Sequence, residues 1–197
     1  MNIEKPKSKQ PIPDHAKRVF KGVIFDVYQW QQEMFDGSKV TFEKLKCPDT
    51  VVIFPILPDG RIILTEQEQP GKDPFIGATG GRVDDGEDIL TAARRELLEE
   101  SGYEAEEFFL WDAQHPASKI DRVVYTFIAK GLNKVADLNL DAGEKIKLKL
   151  VTLDELIDIG TRDNFSEKEI IPKLFEAKIY PEKKDELRRL FDPTSYI

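Results

Sequence analysis

The chain has 197 residues and a mass near 22.6 kDa, a length that predicts one domain with room for a small appendage. Hydrophobic residues make up 40% of the chain, enough for a buried core, which excludes a wholly disordered protein. A formal net charge of −8 disfavours binding to nucleic acids and anionic membranes. It still permits a phosphate-bearing small ligand, because a bound divalent cation inverts the local charge.

Cysteine and histidine are scarce. Cys47 is the sole cysteine, and His15 and His115 are the sole histidines. An intrachain disulfide and a thiolate zinc cluster are therefore excluded, and most histidine-dependent sites are disfavoured. The longest strongly apolar run, residues 51–57, is far shorter than a membrane helix, and the N-terminus lacks the apolar core of a secretory signal. These features predict a cytoplasmic protein with neither a membrane nor a nucleic acid as partner.

In chain order, the first segments are a tail and a small β unit. Residues 1–14 carry three prolines among lysines, a composition that predicts a flexible tail. Residues 15–48 contain two β-rich runs, 19–35 and 39–47, and Asp-Gly between them predicts a hairpin. An isolated hairpin is marginal in water. We therefore expect this unit to pack on its own domain or to form a dimer.

Residues 49–197 predict a mixed sheet flanked by helices, because strands and helices interleave without βαβ regularity. Pro58-Asp59-Gly60 predicts a second hairpin between residues 50–57 and 61–68. Ser166 and Glu169 have the spacing of a capping box that opens a helix, and Pro172 should kink or restart that helix. The other elements expected are a helix over 88–101 ended by Gly102, strands over 106–113, 122–131 and 145–153, and helices over 154–159 and 181–191.

Three glutamates share one side of the helix predicted over residues 88–101. At 100° per residue, Glu96, Glu99 and Glu100 fall within an arc of about 100°, on the shoulder of the apolar stripe. Like charges at these spacings destabilise a helix by roughly 0.2–0.5 kcal/mol per pair. A hard cation such as Mg²⁺ or Mn²⁺ would offset that cost. A glutamate-rich helix taken alone is more often a solvated face.

The spacing around these glutamates changes that balance. The pattern is Gly-x5-Glu-x7-Arg-Glu-U-x-Glu-Glu-x-Gly-U, where U is apolar, and a chance match in a chain of this length has a probability of roughly 2 in 100,000. The matching residues are Gly81, Glu87, Arg95, Glu96, Leu97, Glu99, Glu100, Gly102 and Tyr103. This segment resembles the Nudix box, and the order of the flanking elements is similar to that of Nudix hydrolases over about residues 49–197.

The resemblance implies an α/β/α sandwich with a mixed sheet, and Mg²⁺-dependent cleavage of a nucleoside diphosphate linked to another group. By position, it implies that Glu96, Glu99 and Glu100 bind the metal together with the carbonyl of Gly80. Glu99 and Glu100 are thereby also catalytic candidates. Arg95 and Glu87 would form a structural pair.

A general base is also expected. In the subfamily that hydrolyses ADP-ribose, this acid lies in a loop before a later strand and just ahead of an arginine. Asp121 followed by Arg122 matches that place, with Asp instead of Glu. Glu144 competes with Asp121 for the role, and an ordinary loop aspartate is an equal alternative.

Outside the box, the chain resembles the ADP-ribose and nucleotide-sugar group through its N-terminal β unit and Pro116. That group is typically dimeric, so the resemblance implies a homodimer. Substrate-binding candidates are Tyr28, Trp30, Glu66, Gln69 and Arg82. The aromatic residues, with Phe25, would stack a base, although ordinary core or dimer packing is favoured for them.

Two positions depart from the group pattern. Gln69 replaces a phosphate-contacting arginine, and Gly77 replaces a glutamate. The expected function is Mg²⁺-dependent hydrolysis of a nucleoside diphosphate sugar similar to ADP-ribose, giving a nucleoside monophosphate and a sugar phosphate. The alternatives are a housecleaning pyrophosphatase for nucleoside triphosphates and a non-catalytic nucleotide-sugar sensor. RNA decapping is disfavoured by the acidic balance.

Overall fold

The computed structural model describes residues 3–140, 142–143 and 145–195. The strands, in chain order, are β1 Lys17–Lys21, β2 Asp26–Glu33, β3 Lys39–Lys46, β4 Thr50–Pro55, β5 Ile62–Gln69, β6 Lys72–Gly77, β7 Thr79–Arg82, β8 Tyr103–Gln114, β9 Ile120–Asp121, β10 Val124–Lys134 and β11 Lys145–Val151. The helices are α1 Ile89–Ser101, α2 Leu153–Ile159, α3 Ile171–Ile179 and α4 Pro181–Leu190, with a 3₁₀ turn at Lys168–Ile170 before α3.

The centre of the molecule is a mixed sheet with helices on both faces. Its strand order is β7-β4-β10-β8, with β10 parallel to β4 and antiparallel to β8. Alternate residues of β4 point to opposite faces: Val51 and Ile53 pack with α1, whereas Val52 and Phe54 pack with α2, α3 and α4. The predicted α/β/α sandwich with a mixed sheet is confirmed.

The turn at Pro58-Asp59-Gly60 forms as predicted, but the two strands beside it do not pair as an extended hairpin. The turn is closed by backbone hydrogen bonds between Leu57 and Arg61 and between Gly60 and Leu57. Beyond the isolated bridge of Ile56 with Ile62, β4 enters the central sheet while β5 joins a second sheet of order β11-β5-β6. Both faces of β4 are buried, which suits a central strand better than one arm of a solvated hairpin.

The N-terminal β unit forms a third sheet of order β1-β2-β3-β9. The predicted hairpin at Asp36-Gly37 joins β2 and β3, which pair antiparallel. The β-rich run 19–35 is not one strand, because a turn closed by the hydrogen bond from Gly22 N to Phe25 O separates β1 from β2. Large apolar side chains are exposed on this unit, and they include Val19, Phe20, Val23, Ile24, Phe25, Phe35 and Val40.

The described part of the N-terminal tail lies against the rest of the protein. Lys5 Nζ pairs with Asp49 at 2.8 Å, and Lys44 Nζ donates to Ser8 Oγ and to the carbonyl of Gln10. His115 Nε2 lies 3.1 Å from the carbonyl oxygen of Pro6. Contacts do not measure motion, so the flexibility of the tail stays a prediction.

The Gly- and Pro-rich stretch before the glutamate helix contains β6 and β7, because pairing with β5 and β4 supplies hydrogen bonds that composition does not reveal. One further local prediction is wrong. The capping box expected at Ser166 does not form. The 3₁₀ turn there has no side-chain cap, and α3 restarts with Pro172 in its first turn. A capping box occurs instead at Thr152 and Glu155, at the start of α2.

None of the helices in the described ranges is long and apolar enough to cross a membrane.

Candidate active site

Helix α1 begins and ends at residues suited to those positions. Asp88 is the N-cap, and its carboxylate accepts hydrogen bonds from the backbone of Leu90 and Thr91. Gly102 ends the helix in the left-handed conformation, with φ at +71°. Ala92, Ala93 and Leu97 are fully buried on one side, so the packing of α1 on the sheet fixes the direction of its glutamates.

Arg95 on this helix joins three carboxylates, of which Glu87 precedes the helix. Its guanidinium binds Glu87 through two nitrogens, at 3.0 and 2.9 Å. Its Nη1 lies 2.7 Å from Glu96 Oε1 and 3.2 Å from Glu99 Oε2. Its Nη2 also donates to the carbonyl of Arg82. The bidentate pair lowers the pKa of Glu87, and the same hydrogen bonds raise the pKa of Arg95, so Glu87 and Arg95 stay charged at neutral pH.

The third glutamate of the box is buried and faces the glycine-rich strand. Glu100 is 5% exposed, and its Oε2 accepts the backbone N–H of Gly80 at 2.8 Å. A β-carbon placed on Gly81 would lie within 3 Å of all three carboxylate atoms of Glu96. Glycine at 81 therefore lets the Glu96 carboxylate approach the backbone of β7.

The donors at this site are suited to a hard divalent cation. Because the Glu96 and Glu99 oxygens lie 2.7 and 3.2 Å from the same nitrogen, they are at most 5.9 Å apart, against about 4.2 Å for opposite ligands of one Mg²⁺. Within the described residues, no three Asp, Glu, His or Cys side chains are already grouped closely enough to hold an ion. Arg95 and the Gly80 amide hold these carboxylates instead. The residues fit the cation chemically, and a shift of their side chains would bring them together.

Asp121 lies on a different element from the three glutamates. It belongs to β9, which pairs with the end of β3. It lines a cavity of about 360 Å³ together with Tyr28, Lys5, Lys46 and His115. Two of the residues predicted from sequence, Asp121 and Tyr28, therefore meet at one cavity, beside two lysines that sequence reasoning did not select. Glu144, the competing base candidate, lies outside the described residues.

The remaining substrate-binding candidates are dispersed. Trp30 is 6% exposed and packs edge-on against Phe42 at 6.0 Å, which matches the core alternative in this protomer. Glu66 pairs with Lys149 at 2.6 Å and lines a separate cavity of about 610 Å³ on the β11-β5-β6 sheet. The Gln69 amide donates to Gln67 Oε1 at 3.5 Å. Arg82 is exposed and contributes its carbonyl to Arg95.

Sequence reasoning missed Glu167, whose Oε1 accepts the backbone N–H of Ala78 at 3.1 Å. The two residues are 89 positions apart, and no local pattern connects them. The signal available in the sequence was Gly77, which departs from the group pattern at the place that Glu167 approaches.

Comparisons with known proteins agree with this geometry. The NUDIX domain model matches residues 47–174, about two thirds of the chain and the whole Gly80-to-Glu100 site. The chain belongs to the Nudix family. The predicted family resemblance is thus confirmed, and so is the prediction that the chain is a Nudix pyrophosphohydrolase.

Individual relatives match a larger part of this chain than the family model does. A methanol dehydrogenase activator from Bacillus methanolicus is 30% identical over 146 residues, which cover 72% of this chain and 78% of that protein. An ADP-ribose pyrophosphatase from Bacillus subtilis (strain 168) is 27% identical over 146 residues, covering 73% and 79%. A crystal structure of an ADP compounds hydrolase has the same fold, with a TM-score of 0.69 at 21% identity, covering 93% of this chain and 98% of that one.

Proposed function

We propose that the protein hydrolyses the diphosphate bond of a nucleoside diphosphate sugar similar to ADP-ribose, with Mg²⁺ or Mn²⁺ as cofactor. The products are a nucleoside monophosphate and a sugar phosphate. The observation that carries this proposal is the grouping of Glu96, Glu99 and buried Glu100 around the glycine-rich strand β7. The Bacillus subtilis relative named as an ADP-ribose pyrophosphatase supports the substrate class.

The roles of the residues follow from their positions. Glu96, Glu99, Glu100 and the Gly80 carbonyl would hold the metal ion, which supplies charge neutralisation at the diphosphate and activates the water. Arg95 keeps Glu96 and Glu99 oriented, and Glu87 keeps Arg95 in place. A carboxylate that accepts the proton of the attacking water completes the site, and Asp121 and Glu144 are the candidates.

The cavity that contains Asp121 and Tyr28 is where we place the nucleotide. Its volume of about 360 Å³ is at the lower end of the range for small-molecule sites. Lys5 and Lys46 at its wall supply positive charge that Gln69 does not. Tyr28 offers a ring face to a base or sugar.

The exposed apolar residues of the β1-β2-β3-β9 sheet support a homodimer. Val23 and Phe35 are fully exposed in the single chain, and Phe20 is 59% exposed. Several large exposed apolar side chains on one small sheet favour burial against a protein partner. We propose that two copies pair through this sheet, in a cytoplasmic protein that binds a small-molecule substrate and neither nucleic acid nor membrane.

A substrate panel tests the function. Purified protein with Mg²⁺ would be given ADP-ribose, GDP-mannose, UDP-glucose and nucleoside triphosphates, and the products would be identified by mass. We expect a nucleoside monophosphate and a sugar phosphate from at least one diphosphate sugar. Release of inorganic pyrophosphate from triphosphates alone would support the housecleaning alternative. Tight binding without turnover would support the sensor alternative.

A further inference from the structure

The end of strand β6 is covered by a segment from the C-terminal part of the chain. Ile76 N donates to the carbonyl of Asn164 at 2.9 Å, and Ser166 N donates to the carbonyl of Ile76 at 2.8 Å. Phe165, between them, is fully buried in the core. Residues 164–166 therefore bind β6 as a short parallel bridge, and this bridge fixes the position of the next residue, Glu167.

The Glu167 side chain occupies the space beside Gly77. A β-carbon placed on Gly77 would lie 2.7 Å from Glu167 Oε1 and still closer to Ser166 Oγ. Any other residue at 77 would thus collide with the two side chains. The group pattern often has glutamate at position 77, so the chain lacks a carboxylate there and receives one from residue 167.

The carboxylate of Glu167 is oriented by hydrogen bonds, and within the described residues no cation pairs with it directly. Its Oε1 accepts from Ser166 Oγ at 2.6 Å and from Ala78 N at 3.1 Å. In the described part of the chain it forms no ion pair, and Lys72, a nearby cation, lies over the Phe75 ring at 3.5 Å. An enclosed carboxylate without a direct ion pair reduces stability, so its retention points to a ligand.

Glu167 lies close to the metal-binding carboxylates along the glycine-rich strand. It binds the amide of Ala78, and Glu100 binds the amide of Gly80. Two residues of extended chain span about 7 Å, which is comparable with the distance between a diphosphate and the sugar attached to it. Glu167 as a whole residue is half-buried.

We propose that Glu167 determines substrate specificity by accepting hydrogen bonds from hydroxyl groups of the sugar attached to the diphosphate. This inference rests on the proposed function. In it, the carboxylate supplied by residue 167 takes the place of the side chain that residue 77 lacks. Sugar hydroxyls are the suitable ligand class because they are donors, and the carboxylate has only acceptors to offer.

The first test compares two substrates in Glu167→Gln, which keeps the size of the side chain. ADP-ribose has the hydroxyls, whereas the methyl ester of ADP has the same diphosphate and no second sugar. We expect kcat/KM for ADP-ribose to fall about tenfold or more, because a charge-assisted hydrogen bond is lost, and kcat/KM for the methyl ester to stay within about twofold of wild type. Equal losses for both substrates, or no loss for ADP-ribose, would overturn the proposal.

A matched control separates this effect from a general change of charge. Glu169 is two residues away and pairs with Arg122 at 3.7 Å. Glu169→Gln removes the same charge from the same segment, and the proposal expects no selective loss for ADP-ribose. Thermal melting of each variant checks that the fold is retained.

Relocation of the carboxylate is the second test. Ser166→Gly with Glu167→Gly removes the acid and opens the space beside Gly77, and the addition of Gly77→Glu to this pair restores a carboxylate there. We expect the triple variant to regain a preference for ADP-ribose over the methyl ester that the double variant has lost. An unchanged preference would show that Glu167 does not stand in for residue 77.

The inference and the proposed function can fail separately. If wild-type protein cleaves neither compound, the proposed function is wrong. Binding of ADP-ribose by calorimetry then decides on Glu167, since the proposal still requires weaker binding by Glu167→Gln than by wild type and by Glu169→Gln. Equal binding by all three proteins would reject it.

Discussion

Two sets of carboxylates border the glycine-rich segment 77–81, and they differ in how their charge is balanced. On α1, Arg95 binds Glu87, Glu96 and Glu99 at 2.7 to 3.2 Å. On the other side, Glu167 is held by a hydroxyl and a backbone amide and forms no ion pair with the described residues. The first set is organised before any ligand arrives, whereas the second retains its capacity to accept from a ligand.

The difference shows how one segment can carry two functions. Carboxylates that bind a metal ion together repel each other when the ion is not bound. A positively charged side chain is then needed to keep them close. A carboxylate that binds hydroxyls needs no such cation. The following predictions act on one set or the other.

The largest effect is expected from Glu100→Gln. Glu100 is buried and binds the Gly80 amide, so loss of its charge removes a metal ligand while the shape is kept. We expect kcat to fall more than about 100-fold, beyond the range typical of residues that merely support a ligand, with an unchanged melting temperature. Glu104→Gln, at an exposed position on β8, is the control. A normal rate in Glu100→Gln would exclude this residue from the mechanism.

Arg95→Met should lower stability, because it leaves Glu87, Glu96 and Glu99 without their shared cation. We expect a loss of about 2 kcal/mol, or about 4–8 °C in Tm for a protein of this size. Added Mg²⁺ should restore more of the Tm in the variant than it adds to wild type, since the ion would replace the missing charge. Equal responses to Mg²⁺, measured by calorimetric melting, would argue against a metal ion at these carboxylates.

Gly81→Ala tests the close approach of Glu96 to β7. The added β-carbon would overlap the Glu96 carboxylate, so we expect at least a tenfold loss of kcat and about 1–3 kcal/mol of destabilisation. Gly86→Ala is the control, because Gly86 has a positive φ but no neighbour within 4 Å of an added β-carbon. It should cost about 1 kcal/mol with kcat retained. The two activities should be measured side by side; similar losses would contradict the account.

The smallest effect concerns pH, and the two sets should respond in opposite directions. The pKa of Glu87 is lowered by Arg95. The Glu87 carboxylate therefore stabilises the fold at pH values above its pKa in the unfolded chain, and this contribution is lost as the pH falls through its pKa in the folded protein. Burial raises the pKa of Glu167, with Ser166, Ala78 and Lys72 opposing that rise and Glu169 adding to it. Its ionisation therefore destabilises the fold increasingly as pH rises above the unfolded value.

These signs can be measured by denaturant unfolding between pH 3 and 8. Glu87→Gln should be less stable than wild type above about pH 5 and approach it at lower pH. Glu167→Gln should show the reverse trend, losing least relative to wild type at the highest pH. If the stability difference from wild type changed with pH in the same way for both variants, the proposed difference between the two sets of carboxylates would be wrong.

The sequence predicts the three glutamates of α1 well because they lie on one helix. The spacing of Glu96, Glu99 and Glu100 determines their shared side, and Asp88 and Gly102 mark the ends of α1. The continuous apolar run of β4 likewise fits a strand with two covered faces.

The second set could not be predicted, because it depends on contacts between distant segments. The bridge between β6 and residue 165 places Glu167 next to Ala78, and no local periodicity encodes that contact. The capping-box pattern at Ser166 was misleading for the same reason, since Ser166 and Glu167 turn toward Gly77 and do not cap a helix.

The most direct test of the metal-binding glutamates is a Mn²⁺ titration followed by electron paramagnetic resonance, without substrate turnover. Wild-type protein should bind Mn²⁺, and the combined change of Glu96, Glu99 and Glu100 to Gln should abolish binding. A matched triple change at exposed glutamates, Glu104, Glu106 and Glu182, should leave it intact. Mn²⁺ binding that survives in the first triple variant would contradict the account.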